Sequence, residues 1–251
     1  AIGSNSLKSN TTGTRNIGIG AGALDGAETE NDNIGIGYNA LGGSVDGGEY
    51  NIAIGNYSLD ANTSGDYNVA VGYNSLTANT AASYVTALGG NALKANTTGS
   101  GNTAVGTNAM ESNTTGASNT VMGWNALVTN TTGSNNLAMG VNTMFYNTTG
   151  YKNVALGDYG LWSNTEGMEN VAISGNSSLY KNTTGSQNIA IGAASLYNNE
   201  TGNYNIAIGR SAGAAITTGG INILIGKNAG DGFDAEQKNI GIGNAALGGS
   251  I

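Results

Sequence analysis

The residue types that most often carry out enzymatic chemistry are scarce in this chain. Its 251 residues include no cysteine and no histidine. A structural zinc site, a thiol nucleophile, a Ser-His-Asp triad and haem or iron–sulfur ligation therefore each lack a required group. Carboxylates remain, but Asp158 has only Glu166 and Glu169 in its neighbourhood, at a spacing that suggests no acid–base pair. We therefore expect no catalysis, no cofactor and no metal.

Two acidic clusters and several glycine-rich runs are the next candidates for a ligand site. The clusters are Asp25, Glu28, Glu30 and Asp32, and Asp231, Asp234 and Glu236. They could hold a cation, but their composition favours solvated loops. Glycine runs such as Gly18-Ile-Gly20 and Gly241-Ile-Gly243 are not followed by a P-loop lysine, which argues against a nucleotide site.

Charge and hydropathy argue against two kinds of partner. Sixteen acidic and eight basic residues give a net charge of −8, and the basic residues stand singly, so we expect no binding to nucleic acid. No apolar stretch approaches the roughly 20 residues that span a bilayer, so we expect no membrane insertion by this segment.

A short repeat runs through the chain. The pattern Asn, aliphatic or Thr, small, aliphatic, Gly returns about once every 17 residues, with one extra residue in two of the intervals. It begins at Asn16, Asn33, Asn51, Asn68, Val85, Asn102, Asn119, Asn136, Asn153, Asn170, Asn188, Asn205, Asn222 and Asn239. Counting the leading Asn as position 1, the consensus is N-[IVLT]-[AG]-[IVLM]-G-x-N-[AS]-L-x-x-N-T-T-G-x-x. Residues that share a position are called a row below.

This repeat predicts an all-β, parallel β-solenoid that forms a single domain over residues 1–251. Positions 2 to 4 alternate like a short strand, and Gly and Asn supply the backbone conformations that corners require. The repeat unit is too short for two helices or a propeller blade. We expect about fifteen coils, with the aliphatic side chains of rows 2, 4 and 9 inside.

Row 3 is expected to face outward because side chains alternate along a strand. It contains only glycine or apolar residues, which predicts a flat apolar stripe that a partner covers. A side-by-side homotrimer would bury it, and closed symmetry avoids open filaments. The stripe would instead pack internally if the strand were buried on both faces. The predicted subunit interface comprises Ala53, Ala70, Ala87, Ala104, Val121, Ala138, Ala155, Ala172, Ala190, Ala207 and Leu224.

Motifs such as Asn51-Ile-Ala-Ile-Gly55 and Asn188-Ile-Ala-Ile-Gly192 resemble the head repeats of trimeric autotransporter adhesins. With their NTTG corner they are also similar to repeats of phage tail fibres and other surface fibres. The resemblance implies a left-handed β-roll, three chains side by side, and a segment of a longer extracellular fibre on a cell or virion that attaches to a surface. The unit here is longer than the usual head repeat.

A break in row 10 provides the best ligand candidate. The row is polar in most coils, yet four successive coils place Phe145, Trp162, Tyr180 and Tyr197 there. If they stack at coil spacing, these rings form an aromatic strip that could bind a host-surface glycan or protein. Alternatively, the strip stacks on itself or on a neighbouring chain and stiffens the solenoid.

The NTTG corners leave two further interpretations open. They create glycosylation sequons at Asn10, Asn62, Asn96, Asn113, Asn130, Asn147, Asn182 and Asn199. Their regularity is better explained by asparagines that cap corners and stack as a ladder. The threonine rows at positions 13 and 14 also raise an ice-binding function, but adjacent threonines should point to opposite sides and leave one exposed row. An ice-binding or purely scaffolding solenoid is the alternative to an adhesive fibre.

Overall fold

The computed structural model describes residues 1–43 and 47–248. Within these ranges the chain is a parallel β-solenoid of about 13 turns, somewhat fewer than the roughly fifteen coils expected, and it contains no helix. It divides into two compact units, Ala1–Trp124 and Asn125–Ile251. The described part of the chain accordingly holds no helix that is long and apolar enough to cross a membrane.

Each coil contributes one short strand at positions 2 to 4, and each unit contains seven of them. The first unit has β1 (Ile17–Ile19), β2 (Ile34–Ile36), β3 (Ile52–Ile54), β4 (Val69–Val71), β5 (Thr86–Leu88), β6 (Thr103–Val105) and β7 (Thr120–Met122). The second has β8 (Leu137–Met139), β9 (Val154–Asp158), β10 (Val171–Asn176), β11 (Ile189–Ile191), β12 (Ile206–Ile208), β13 (Ile223–Ile225) and β14 (Ile240–Ile242). Within each unit, neighbours pair in parallel and in chain order. Equivalent positions pair, as in Ile52↔Val69, and a bulge interrupts the pairing of β9 and β10.

Corners form because several residues in each coil, four in most coils, adopt positive φ. In the coil of residues 51–67 these are Gly55 at +130°, Tyr57 at +59°, Leu59 at +52° and Tyr67 at +56°. A Cβ on Gly55 would lie 2.5 Å from the carbonyl oxygen of Gly72 in the next coil, so this position requires glycine. Backbone hydrogen bonds continue the pairing through the corners, as from the N–H of Leu59 to the carbonyl oxygen of Ser75 (3.0 Å).

The interior is narrow and is filled by row 9. Its side chains are fully buried at Leu24, Leu41, Leu59, Leu76, Leu93, Met110, Leu127, Met144, Leu161, Leu179 and Leu196. Row 3 faces the same interior. An added Cβ on Gly35 would lie 3.1 Å from Cγ of Leu24, and one on Gly18 would lie 3.2 Å from Cγ of Leu7. The carbonyl oxygen of Ala40 in row 8 would lie closer still to the Cβ on Gly35, at 2.7 Å. Row 3 is therefore small because the row 9 leucines and the row 8 backbone occupy the space opposite it.

This packing contradicts the predicted orientation of the strands. Row 3 points inward, and rows 2 and 4 point outward, as the exposed, buried, exposed pattern of β1 and β7 shows. The predicted subunit interface is wrong because its residues have no exposed surface: Ala53, Ala70, Ala87, Ala104, Val121, Ala138, Ala155, Ala172, Ala190, Ala207 and Leu224.

Two rows of buried asparagines satisfy the backbone at the corners. In row 1, Asn68 donates its backbone N–H to Oδ1 of Asn51 (3.0 Å) and its amide nitrogen to the carbonyl oxygen of Ala82 (2.9 Å). In row 12, the amide nitrogen of Asn79 donates to Oδ1 of Asn62 (2.8 Å). All four asparagine side chains are fully buried, so these ladders replace the water that corner carbonyls would otherwise need.

Candidate functional surfaces

The outward sheet face, defined by rows 2 and 4, is an uncharged surface that runs along each unit. In the described strands all of its residues are Ile, Val, Leu, Met or Thr, and none carries a charge. Several are substantially exposed, including Ile17 (47%), Ile54 (38%) and Met122 (48%) in the first unit. Ile240 (66%) and Ile242 (68%) are examples in the second. An exposed aliphatic face of this regularity is typical of a surface that a partner covers.

Tyrosines border this face in the first unit, which was not predicted from the sequence. In row 17, the ring of Tyr67 stacks on that of Tyr50 (ring centroids 4.8 Å apart) and on that of Tyr84 (5.3 Å). Partial burial and the neighbouring Tyr50 and Tyr84 raise the pKa of Tyr67. The recurrence of tyrosine at the end of three successive repeats was the signal in the sequence.

At the other end of the strands, Tyr57 meets the rings of Tyr38 and Tyr73 edge-on, at 5.3 and 6.3 Å. Tyr38 and Tyr73 are about half exposed. Tyrosine combines a large apolar area with a hydroxyl and is enriched at protein interfaces, so both borders add apolar area to the sheet face. The carboxylates of Glu49 and Asp66 lie close enough to Tyr67 to act on its pKa, so the row 17 border is not free of charge.

The structure brings the predicted aromatic strip together in the second unit. Trp162 and Tyr180 stack with centroids 5.0 Å apart and an interplanar angle of 7°, and Tyr180 and Tyr197 with 5.1 Å and 2°. Phe145 lies 6.3 Å from Trp162 and is tilted by 31°. Tyr146 meets both Phe145 and Trp162 edge-on. Burial in the stack raises the pKa of Tyr180, with a smaller contribution from Tyr197. The inner rings therefore offer their edges, and not their faces, to solvent.

In the first acidic cluster, Asp32 and Glu30 accept hydrogen bonds from nearby side-chain and backbone groups of the same chain. The Arg15 guanidinium hydrogen-bonds to Asp32 (2.5 and 2.7 Å), which lowers the pKa of that carboxyl. Glu30 is 4% exposed. Its burial opposes ionisation, but N–H groups of Gly47 and Thr29 donate to it, and its pKa lies below the ordinary value.

In the other cluster, the hydroxyl of Thr217 donates to Asp234, whose own N–H donates to Glu236. No group of three or more acidic side chains in residues 1–43 and 47–248 could hold a metal ion.

The sequons coincide with the row 12 ladder. Asn147 is typical: its amide nitrogen donates to Oδ1 of Asn130 (2.9 Å) and to the carbonyl oxygen of Gly150 (3.0 Å), and its Oδ1 accepts from Asn164 (2.7 Å). The sequon asparagines with no exposed surface are Asn62, Asn96, Asn113, Asn130, Asn147, Asn182 and Asn199. Their amide nitrogens are therefore inaccessible to modification in the folded chain.

The two threonine rows face different surroundings. In row 13 the hydroxyls donate to the backbone of the next coil, as Thr97 does to Thr114 (3.0 Å) and Thr148 to Thr165 (3.1 Å). In row 14 the side chains are exposed, as at Thr149. Among the described residues only one threonine row thus faces solvent freely, and Ala81 and Glu166 interrupt it.

Comparison of the chain with protein-family models, with curated proteins and with solved structures gives no match. The resemblance to adhesin head repeats therefore stays a prediction from the motifs, and function has to be argued from the surfaces described above.

Proposed function

We propose that this chain is a shaft or head segment of an extracellular homotrimeric fibre that attaches to a surface. The observation that carries the proposal is the outward sheet face, an uncharged aliphatic surface that repeats over seven strands in each unit. Side-by-side association of copies would remove this face from water. The predicted trimer is thus retained, but with rows 2 and 4 at its interface in place of row 3.

The available area supports self-association. Seven strands about 4.8 Å apart and three residues wide make a face of about 30 by 10 Å, or roughly 300 Å². The bordering tyrosines of the first unit are 45–67% exposed at Tyr38, Tyr50, Tyr67, Tyr73 and Tyr84. At about 200 Å² per ring they add roughly 500 Å². The first unit alone therefore approaches the ~800 Å² per partner of a standard interface.

Three copies arranged around an axis would form an assembly of defined size that presents three identical outer surfaces. Closed symmetry limits the assembly to a defined size. Three equivalent outer surfaces would multiply weak contacts with a host-surface glycan or protein, which raises the avidity of attachment. The net charge of −8 argues against nucleic acid as the partner. The proposed role is non-enzymatic and needs no cofactor.

A cysteine-protection experiment tests the proposed interface. The chain has no cysteine, so an introduced thiol is unique. Ile54→Cys places it on the outward face, and Thr98→Cys places it on the exposed row 14 as a control. If copies associate as proposed, Ile54→Cys reacts with a thiol reagent at least tenfold more slowly than Thr98→Cys, and denaturant removes the difference. Equal rates in the native protein would contradict the proposal.

The ice-binding alternative receives less support. A surface that orders water favours a flat double row of hydroxyls, whereas row 13 uses its hydroxyl protons within the chain, as at Thr97 and Thr148. A scaffolding solenoid without adhesive contacts is the remaining alternative, and it would share the same self-association.

A further inference from the structure

The aromatic strip has one ring whose outer face has no aromatic neighbour in the described part of the chain. Each inner ring, Trp162 and Tyr180, is sandwiched between the rings of adjacent coils. Tyr197 is the last ring: it stacks on Tyr180 on one side, and the next coil places Ala214 in row 10. Ala215 follows in row 11. The strip therefore ends at a notch one coil high, with an aromatic wall and a floor of two methyl groups.

The opposite end of the strip is built differently. Tyr146 lies edge-on to Phe145, with centroids 4.8 Å apart, and the preceding coil carries the branched Val128 in row 10. The notch is thus a feature of the Tyr197 end.

The tyrosine ladder of the first unit shows what such an ending does to a ring. Tyr84 is its last ring, and the next coil places Gly101 in the same row. Tyr84 is 67% exposed, compared with 45% for Tyr50 and 49% for Tyr67. The loss of one neighbouring side chain therefore leaves Tyr84 more open to solvent than the rings before it. Tyr197, the corresponding ring of the aromatic strip, is partly exposed.

Two polar side chains lie near Tyr197: Lys181, from the coil that carries Tyr180, and Asn198, from the same coil as Tyr197. The ammonium group of Lys181 lies 5.9 Å from the centre of the Tyr197 ring. The amide nitrogen of Asn198 donates to the carbonyl oxygen of Ala214 (2.9 Å), which fixes that side chain beside the floor. An aromatic face with a few polar groups at its edge suits a ligand that is flat and apolar on one side and hydroxylated at its rim.

We propose that the notch between Tyr197 and Ala214 binds a single pyranose ring of a surface glycan. The C–H face of the sugar would continue the stack on Tyr197 where the ladder lacks its next ring. Its hydroxyls would bond to Lys181 and Asn198. This inference rests on the attachment function proposed above and assigns the glycan contact to the row 10 corner, away from the outward sheet face used for self-association.

Saturation-transfer NMR on the full chain tests the proposal with methyl pyranosides of glucose, galactose, mannose and N-acetylglucosamine. At least one of these should receive saturation through its ring C–H protons. Ala214→Tyr is the decisive variant, because it adds the missing ring to the ladder and fills the notch. It should reduce the signal at least tenfold. Val128→Tyr adds a ring in the same row at the other end and should leave the signal unchanged.

Tyr197→Ala provides a second, independent variant in case Ala214→Tyr fails to fold, as judged by circular dichroism. It removes the aromatic wall and should also abolish binding. The inference is overturned if no pyranoside binds, or if binding survives in the folded Ala214→Tyr or Tyr197→Ala chain. The solution mass of the unchanged chain separates the two proposals: a multimer that binds no pyranoside rejects the notch and leaves the fibre proposal standing.

Discussion

Replacement of Asn147 by Asp removes two hydrogen-bond donors from the row 12 ladder with almost no change in shape. The Asn147 amide nitrogen donates to Asn130 and to the carbonyl oxygen of Gly150, while its Oδ1 accepts from Asn164. A carboxylate keeps the last bond but places an oxygen close to two other oxygens. The carbonyl oxygen of Gly150 still accepts from the amide nitrogen of Asn136 (2.9 Å), but a buried carboxylate oxygen without a donor costs more than the ~1–3 kcal/mol of a neutral group. The predicted loss at neutral pH is therefore about 2–6 kcal/mol.

The loss should depend on pH. Burial raises the pKa of the new carboxyl above its unfolded value, because the charged form is penalised in the ladder. The protonated acid can donate one hydrogen bond, so the variant regains stability at low pH. The destabilisation relative to the unchanged chain should therefore grow as pH rises from the unfolded pKa of about 4 to the higher folded pKa, and then level off.

Thermal unfolding followed by circular dichroism measures this effect at about pH 4 and pH 7. At about 2–4 °C per kcal/mol, we expect Asn147→Asp to lower Tm by about 4–24 °C at pH 7 and by clearly less at pH 4. The control is Asn135→Asp, the same change at an exposed asparagine in the same unit, which should alter Tm little. Equal effects of the two substitutions, or a pH-independent loss, would refute the role assigned to the ladder.

Three further predictions concern stability, each measured as Tm. Gly213→Ala should lower Tm by the equivalent of about 1–3 kcal/mol, because Gly213 has a φ of +59° and an added Cβ would lie 3.0 Å from two leucine methyl groups; unchanged Tm would contradict the packing. Tyr67→Ala breaks two ring stacks and Tyr84→Ala one, so the first should lower Tm about twice as much, at about 0.5–1.5 kcal/mol per stack. The Glu30 carboxylate stabilises the fold above its lowered pKa and loses this contribution as pH falls, so Glu30→Gln should flatten the acid side of the Tm profile.

The repeat and its backbone pairing could be predicted because they depend on spacing alone. A short strand that recurs once per repeat places equivalent positions side by side, and the paired registers follow that rule, as for Ile52 and Val69. The row 12 asparagines likewise follow from recurrence at a corner. Trp162 stacks on Tyr180 because both residues occupy row 10 in successive coils.

The orientation of the strands could not be predicted from alternation, because alternation separates two faces without saying which is inside. Size suggested that the larger side chains of rows 2 and 4 fill the core. The decisive contacts are with other rows of the repeat: a Cβ on Gly35 would lie 2.7 Å from the carbonyl oxygen of Ala40 and 3.1 Å from Cγ of Leu24, so row 3 holds mostly glycine and alanine. The corners set the width of the coil. This width places the small row 3 residues inside and the larger aliphatic residues of rows 2 and 4 outside, the reverse of what hydrophobicity alone predicts.

At the end of the row 12 ladder, several residues depart from the repeat consensus together, and the sequence alone did not explain why. Ile216 takes the place of asparagine, and Oδ1 of Asn199 consequently has no hydrogen-bond partner. In the same coil Gly213 replaces the row 9 leucine, and in the next coil Leu224 replaces the small residue of row 3. An added Cβ on Gly213 would approach both Ile216 and Leu224. These coordinated changes are visible only when the interior contacts between rows are known.

The measurement that tests the central claim most directly is the solution mass of the unchanged chain by light scattering coupled to size exclusion. Association through the outward sheet face in a closed trimer predicts a mass of about 75 kDa, three times the 25.0 kDa of one chain. A folded species of 25.0 kDa at micromolar concentration would contradict the claim, because the aliphatic face would then remain in contact with water.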